Sequence, residues 1–126
     1  MSIEYDVNDH IAVITINRPE ARNAVNGEVA TGIEAALDHM EADPDIWVGI
    51  IAGRGPVFCA GADLKEVASG SARLGTKKGG FAGLVQRRRT KPLIAACDGP
   101  ALAGGTEIVL ACDLVVVSTD ARFGVA

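Results

Sequence analysis

The chain has 126 residues, enough for one domain, and 48% of them are hydrophobic, enough to bury a core. Aromatics make up only 4% and glycine occurs 15 times, a balance that favours turns and close backbone approaches over a ring-filled core. A net charge of −4 argues against nucleic acid or an anionic membrane surface as the main partner, and Cys59, Cys97 and Cys112, with no C-x-x-C among them, offer neither a zinc site nor a disulfide framework.

The N-terminal "MSIEYDVND" is acidic, so no signal peptide is expected, and no membrane span is expected either, since no uncharged apolar run approaches about 18 residues. A cytoplasmic protein with reduced, packed thiols is the expectation. Residues 3 to 7 alternate Ile3, Tyr5, Val7; a turn-prone Asn8-Asp9 and the β-branched "HIAVITIN" follow, which predicts a β-hairpin. "RPEARN" reads as an irregular link. Asn26 is placed to cap a helix over about 27–42, with Val29, Ile33, Leu37 and Met40 on one face and Asp43-Pro44 as the stop.

"WVGIIAG" (47–53) predicts a strand, "RGPVFCAGAD" a glycine-broken loop and "DLKEVA" a helical turn. Residues 69–80 read as a small, basic loop, either a lid or plain surface. "FAGLVQRRRTK" (81–91) predicts a helix with its basic residues late, where the dipole favours them; "RRRTK" is a solvated face or a phosphate contact. "LIAACDG" predicts a strand, "AGGTEIVLAC" a helix, "DLVVVST" a strand and "ARFGVA" an edge strand, after which the chain reads as cut off. Asp113 is expected to open its strand. The order β-β-α-β-α-α-β-α-β-β predicts an α/β domain over residues 1–126.

Phosphate-binding motifs fail on inspection. "GRGPVF" puts Phe58 where the third glycine of a dinucleotide fingerprint belongs, and "GSARLGTKK" has Thr76 and Lys77 in the wrong order for a P-loop. No G-x-S-x-G elbow exists. What remains is a construction used twice, strand, small-residue loop, helix start: "VGIIAGRGPVFCAGADLKE" and "LIAACDGPALAGGTEIVLA". Helix starts leave N–H groups unpaired, and small residues let a ligand reach them. Two such groups converging on one oxygen make an oxyanion hole. Glu107, just past the second loop, either points to water or serves proton transfer beside a carbonyl.

"FCAGADLKE" and "ALAGGTEIVLACDL", with "TINRPEARNAV" ahead of them, resemble the paired signatures of the enoyl-CoA hydratase/isomerase (crotonase) family, N-terminal half. The resemblance implies a crotonase-like spiral of ββα turns, truncated before the C-terminal helical region. It implies an acyl-CoA substrate, with coenzyme A part of that substrate, no separate cofactor and no metal. It makes the N–H of Ala62 and of Gly104 the two donors to the thioester oxygen and Glu107 a catalytic carboxylate. Ala60 and Asp63 then lie in the segment whose backbone meets the adenine end of CoA, and Lys65 and Arg22 are candidates for its phosphates, Lys65 being equally readable as a solvated helix residue. The family's second glutamate would follow "RFGVA" at the next position. Hydration of a 2-enoyl-CoA is the activity the resemblance implies; a Δ3,Δ2-enoyl-CoA isomerase using Glu107 alone, or an inactive acyl-CoA binder, are the alternatives. A homo-oligomer, trimeric or hexameric as in the family, is implied as well.

Overall fold

The computed structural model describes residues 1–69 and 74–125. Two β-branched segments, β1 (Ile3–Asn8) and β2 (Ile11–Ile16), pair antiparallel in full register from Ile3↔Ile16 to Asn8↔Ile11. Asp9 and His10, at φ 48° and 72°, make the turn with the twist a two-residue hairpin needs, one residue later than the sequence suggested. Helix α1 (Gly27–Ala42) then begins as expected, with the Asn26 side chain accepting from the Val29 N–H at 2.9 Å. Its inward stripe, Val29, Ile33, Leu37 and Met40, is completely buried. Because α1 crosses over the sheet, the next strand, β3 (Val48–Gly53), returns parallel to β2. Gly49 lets the layers close: a Cβ there would lie 2.3 Å from the Met40 sulfur.

Strands β6 (Leu93–Cys97) and β8 (Leu114–Val117) extend this sheet in parallel, in the order β1-β2-β3-β6-β8. Asp113 fastens the two: its Oδ2 accepts from the Leu93 N–H and from Arg89, each at 2.8 Å. That agrees with its reading as a strand opener. A second, smaller layer holds β7 (Pro100–Leu102) parallel to β9 (Arg122–Gly124), with Cys59 bridged to Ala101 on the other side. Two short helices, α2 (Leu64–Ser69) and α3 (Gly104–Leu110), each follow a loop that reaches this second layer.

The helix expected over 81–91 does not form. Ala82 and Gly83 both adopt φ near +60°, 58° and 67°, where a right-handed helix cannot continue. Isolated turns take its place behind a small hairpin of β4 (Gly75–Thr76) and β5 (Gly80–Phe81). The basic run is a solvated face only in part: Arg88 and Thr90 are exposed, and two of its arginines turn inward. Arg87 and Arg89 keep only 8% and 9% of their side chains exposed and pair with Asp38 and Asp113. Of the 69–80 loop, residues 70–73 lie outside the described residues, as does Ala126. Strand β8 is outermost, and Leu114, Val115, Val116 and Val117 are all exposed, as are Leu110, Phe123 and Val125. Among the described residues no helix is long and apolar enough to cross a membrane.

Candidate active site

The first loop leaves β3 at Gly53 and is held from below by Asn23. That side chain is fully buried. It donates to the Arg54 and Val57 carbonyls at 2.9 and 2.8 Å and accepts from the Arg18 N–H at 2.8 Å. Asn23 itself sits at φ 58°, a conformation asparagine tolerates better than most residues. The loop then runs beside β7, with Phe58 N–H to Pro100 O at 2.9 Å and Leu102 N–H to Cys59 O at 3.0 Å. At Gly61, φ 101°, it turns.

Beyond that turn the backbone bridges to Val25. Val25 donates to Gly61 O (2.7 Å) and Asp63 donates to Val25 O (2.9 Å). In a parallel bridge these bonds belong to the residues flanking Ala62, so the Ala62 N–H faces the opposite way. Among the described residues nothing accepts it.

The second loop runs from β7 through Ala103 into α3. Gly104 is the first residue of α3, so its N–H has no partner within the helix, and none is described outside it. The two loops touch backbone to backbone. A Cβ on Gly61 would lie 3.0 Å from the Gly104 nitrogen, and one on Gly105 would lie 2.1 Å from the Cys59 carbonyl oxygen. A side chain is disfavoured at Gly61 by its φ of 101° and at Gly105 by the clash, and the contact brings together the two loops that carry the Ala62 and Gly104 amides. The Phe81 ring walls the second donor, 2.6 Å from where a Gly104 Cβ would be. Glu107 lies three residues on, in the first turn of α3, exposed. The carboxylate therefore meets no burial cost.

An open cleft of about 530 Å³ lies on the Ala62 side, lined among others by Arg18, Arg22, Ala60, Ala62, Asp63 and Lys65. It gathers the residues singled out for coenzyme A; Gly104 and Glu107 stand outside its lining and join it through the Gly61–Gly104 contact. The available chemistry differs from residue to residue. The Ala60 N–H is already given to Arg22 O at 3.0 Å, leaving its carbonyl for a ligand. Lys65 and Arg22 are exposed. Asp63, only 8% exposed, is a structural hub. Its Oδ1 caps α2 by accepting from the N–H groups of Lys65 (2.9 Å) and Glu66 (3.3 Å), and its Oδ2 pairs with Arg18 at 2.7 Å. Arg18 and Asn23, hidden in the link "NRPEARN", were not recognisable as site supports from their neighbours in the chain; an asparagine in a turn-prone stretch was the one hint.

The Arg18 hydrogen bond, with help from the α2 amides, holds the Asp63 carboxyl below its ordinary 3.8. A depressed folded value means the carboxylate stabilises the fold above pH 3.8, and that stabilisation is lost as pH falls below it. Asp63→Asn is expected to cost about 1–3 kcal/mol at neutral pH by leaving Arg18 without its anion. It should also flatten the acid limb of stability measured by denaturant unfolding; an unchanged acid limb would remove Asp63 from this role. Burial pushes the Cys59 thiol up to about 11, so it stays protonated beside the site and is no nucleophile.

The sequence model for enoyl-CoA hydratase/isomerase matches residues 6–126. Mevalonyl-coenzyme A hydratase sidH of Aspergillus fumigatus is 45% identical over 118 residues, covering 91% of this chain and 44% of its own. Enoyl-CoA hydratase EchA19 of Mycobacterium tuberculosis is 43% identical over 123 residues, covering 93% and 46% respectively. The crystal structure of carnitinyl-CoA hydratase from Mycobacterium avium superposes with a TM-score of 0.93 at 45% identity, over 98% of this chain and 48% of that one. The chain thus spans about half the length of the relatives it matches.

Proposed function

Since the chain belongs to the enoyl-CoA hydratase/isomerase family, we propose that it carries the thioester-gripping half of an enoyl-CoA hydratase site. One observation supports this above the rest: two main-chain amides, Ala62 and Gly104, are without acceptors among the described residues and belong to loops in backbone contact. A 2-enoyl-CoA placed with its thioester oxygen between them is polarised along the conjugated system, which makes the β-carbon electrophilic. Glu107 takes a proton from water as the oxygen of that water bonds to the β-carbon. The electron pair of the double bond moves toward the thioester, and the negative charge that builds on its oxygen is met by the two amides. Each donor is worth about 3 kcal/mol in the transition state. A proton delivered to the α-carbon completes the 3-hydroxyacyl-CoA; in the family pattern a second acid, one position past Ala126, supplies it. No separate cofactor enters this scheme.

The cleft supports the rest of the assignment. The Ala60 carbonyl is open to an adenine amino group, and Arg22 and Lys65 offer cations to phosphates. A cytoplasmic location belongs to the same reading, supported by three unpaired cysteines. So does a homo-oligomer, supported by the run of exposed apolar side chains Leu114, Val115, Val116 and Val117 on β8. Sedimentation should then report a multiple of the 13.0 kDa chain.

The test follows the conjugated enoyl-thioester absorbance in the 126-residue chain and in the same chain continued to the length of its relatives. Loss of absorbance with 3-hydroxyacyl-CoA as product is expected of the longer form. A 3-enoyl-CoA product makes the site an isomerase, and tight binding without turnover in both forms makes it an acyl-CoA binder.

A further inference from the structure

Ala103 has φ 50° and ψ −114°, a backbone conformation that penalises any residue with a Cβ. Its ψ orients the peptide plane between residues 103 and 104, and so sets where the Gly104 N–H points. Such strain persists only where the surroundings impose it. Here the constraint comes from β9 and from one buried hydroxyl. The Ala103 N–H donates to Gly124 O at 2.6 Å. Thr106, 6% exposed, sets its Oγ1 2.7 Å from Ala101 O and 2.9 Å from Gly124 O, and accepts the Gly124 N–H at 3.2 Å. One side chain thus ties together the residue two before Ala103, the carbonyl that holds Ala103, and the strand that carries that carbonyl.

We infer that Thr106 is a positioning residue: by clamping β9 at Gly124 to α3 and β7, it holds the strained Ala103 peptide and aims the Gly104 N–H at the thioester oxygen. This rests on the hydratase reading for its catalytic consequence, but not for its geometry. The hydroxyl is what matters, since valine fills the same volume without it. Glu107 stands on the next residue of the same helical turn, so the clamp also sets the carboxylate and the donor at one fixed spacing.

The test compares Thr106→Val with Thr106→Ser. In the 126-residue chain, Thr106→Val is expected to speed hydrogen exchange at the Ala103 and Gly124 amides by about 10-fold or more and to shift the Gly104 amide resonance, with α1 amides unchanged; Thr106→Ser should restore both. In whichever form turns over, Thr106→Val should lower kcat by about 10- to 100-fold with KM nearly constant, and serine should recover most of it. Unchanged exchange and an unchanged Gly104 resonance in Thr106→Val overturn the inference. So does altered exchange with an intact kcat, which would make the hydroxyl merely structural. If no form hydrates any enoyl-CoA, the hydratase reading fails, and the exchange and resonance results alone decide the positioning.

Discussion

Glu107→Gln is expected to lower the hydration rate by about 10²- to 10⁴-fold while leaving the protein folded. Glutamine keeps the shape and the place in the first turn of α3, but it cannot accept the proton that water must lose. At 1.36 kcal/mol per decade the loss amounts to about 3–5 kcal/mol of barrier. KM should hardly move, because in the proposed reading the thioester is gripped by backbone amides the substitution does not touch. Stability should fall by no more than about 1 kcal/mol: the carboxylate is exposed, and its one structural contribution is a charge near the positive end of a short helix. Initial rates and thermal unfolding on the same preparation separate these effects. A glutamine variant that hydrates at the parent rate would remove Glu107 from the chemistry.

Gly105→Ala is expected to be among the most damaging single-methyl additions in the molecule, against the sign that helix propensity alone predicts. Alanine is ordinarily better than glycine inside a helix by roughly 0.5–1 kcal/mol. At Gly105 the added Cβ would sit 2.1 Å from the Cys59 carbonyl oxygen and 2.9 Å from its carbon. Both are main-chain atoms of the other donor loop, so no side-chain rotation relieves the contact. The loops must separate by about 1 Å, which strains the Leu102 N–H to Cys59 O bond and pulls the Gly104 and Ala62 amides apart. Overpacking of this kind costs about 1–3 kcal/mol or more in stability. Denaturant unfolding gives the stability and the hydration assay the activity, and both should drop together. A stabilised Gly105→Ala protein would mean that the two loops do not touch.

The parts of the fold legible in the chain are those whose signal is local. Helix α1 announced itself through the Asn26 cap and the spacing of Val29, Ile33, Leu37 and Met40, and the structure keeps the same bounds. Strands β3, β6 and β8 were visible as short apolar runs between breakers. The crotonase-type fold itself was legible as a resemblance carried by the two small-residue loops, and solved relatives superpose on it over 98% of the chain. The 81–91 helix failed for a tertiary reason that apolar spacing does not reveal. Ala82 adopts φ 58°, a conformation few would assign to alanine, because the chain must turn there to lay Phe81 against Gly104 and tuck Arg87 to Asp38.

The candidate site divides along the same line. Residue type and spacing were enough to single out the two loops and Glu107, because a glycine-rich bend before a helix leaves amides unpaired wherever it occurs; Ala62 and Gly104 as the particular donors came only with the family resemblance. What those letters could not contain is that the bends meet. The Cys59–Ala101 bridge, the close backbone packing of Gly61 on Gly104, the Arg18–Asp63 pair and the Thr106 hydroxyl on Gly124 each join residues that lie between 18 and 45 positions apart. Local preference in a polypeptide reports what a residue tolerates within a few neighbours. Which distant backbone it must leave room for is decided only when the layers pack, and in this protein that packing brings together the two loops that carry the candidate amides.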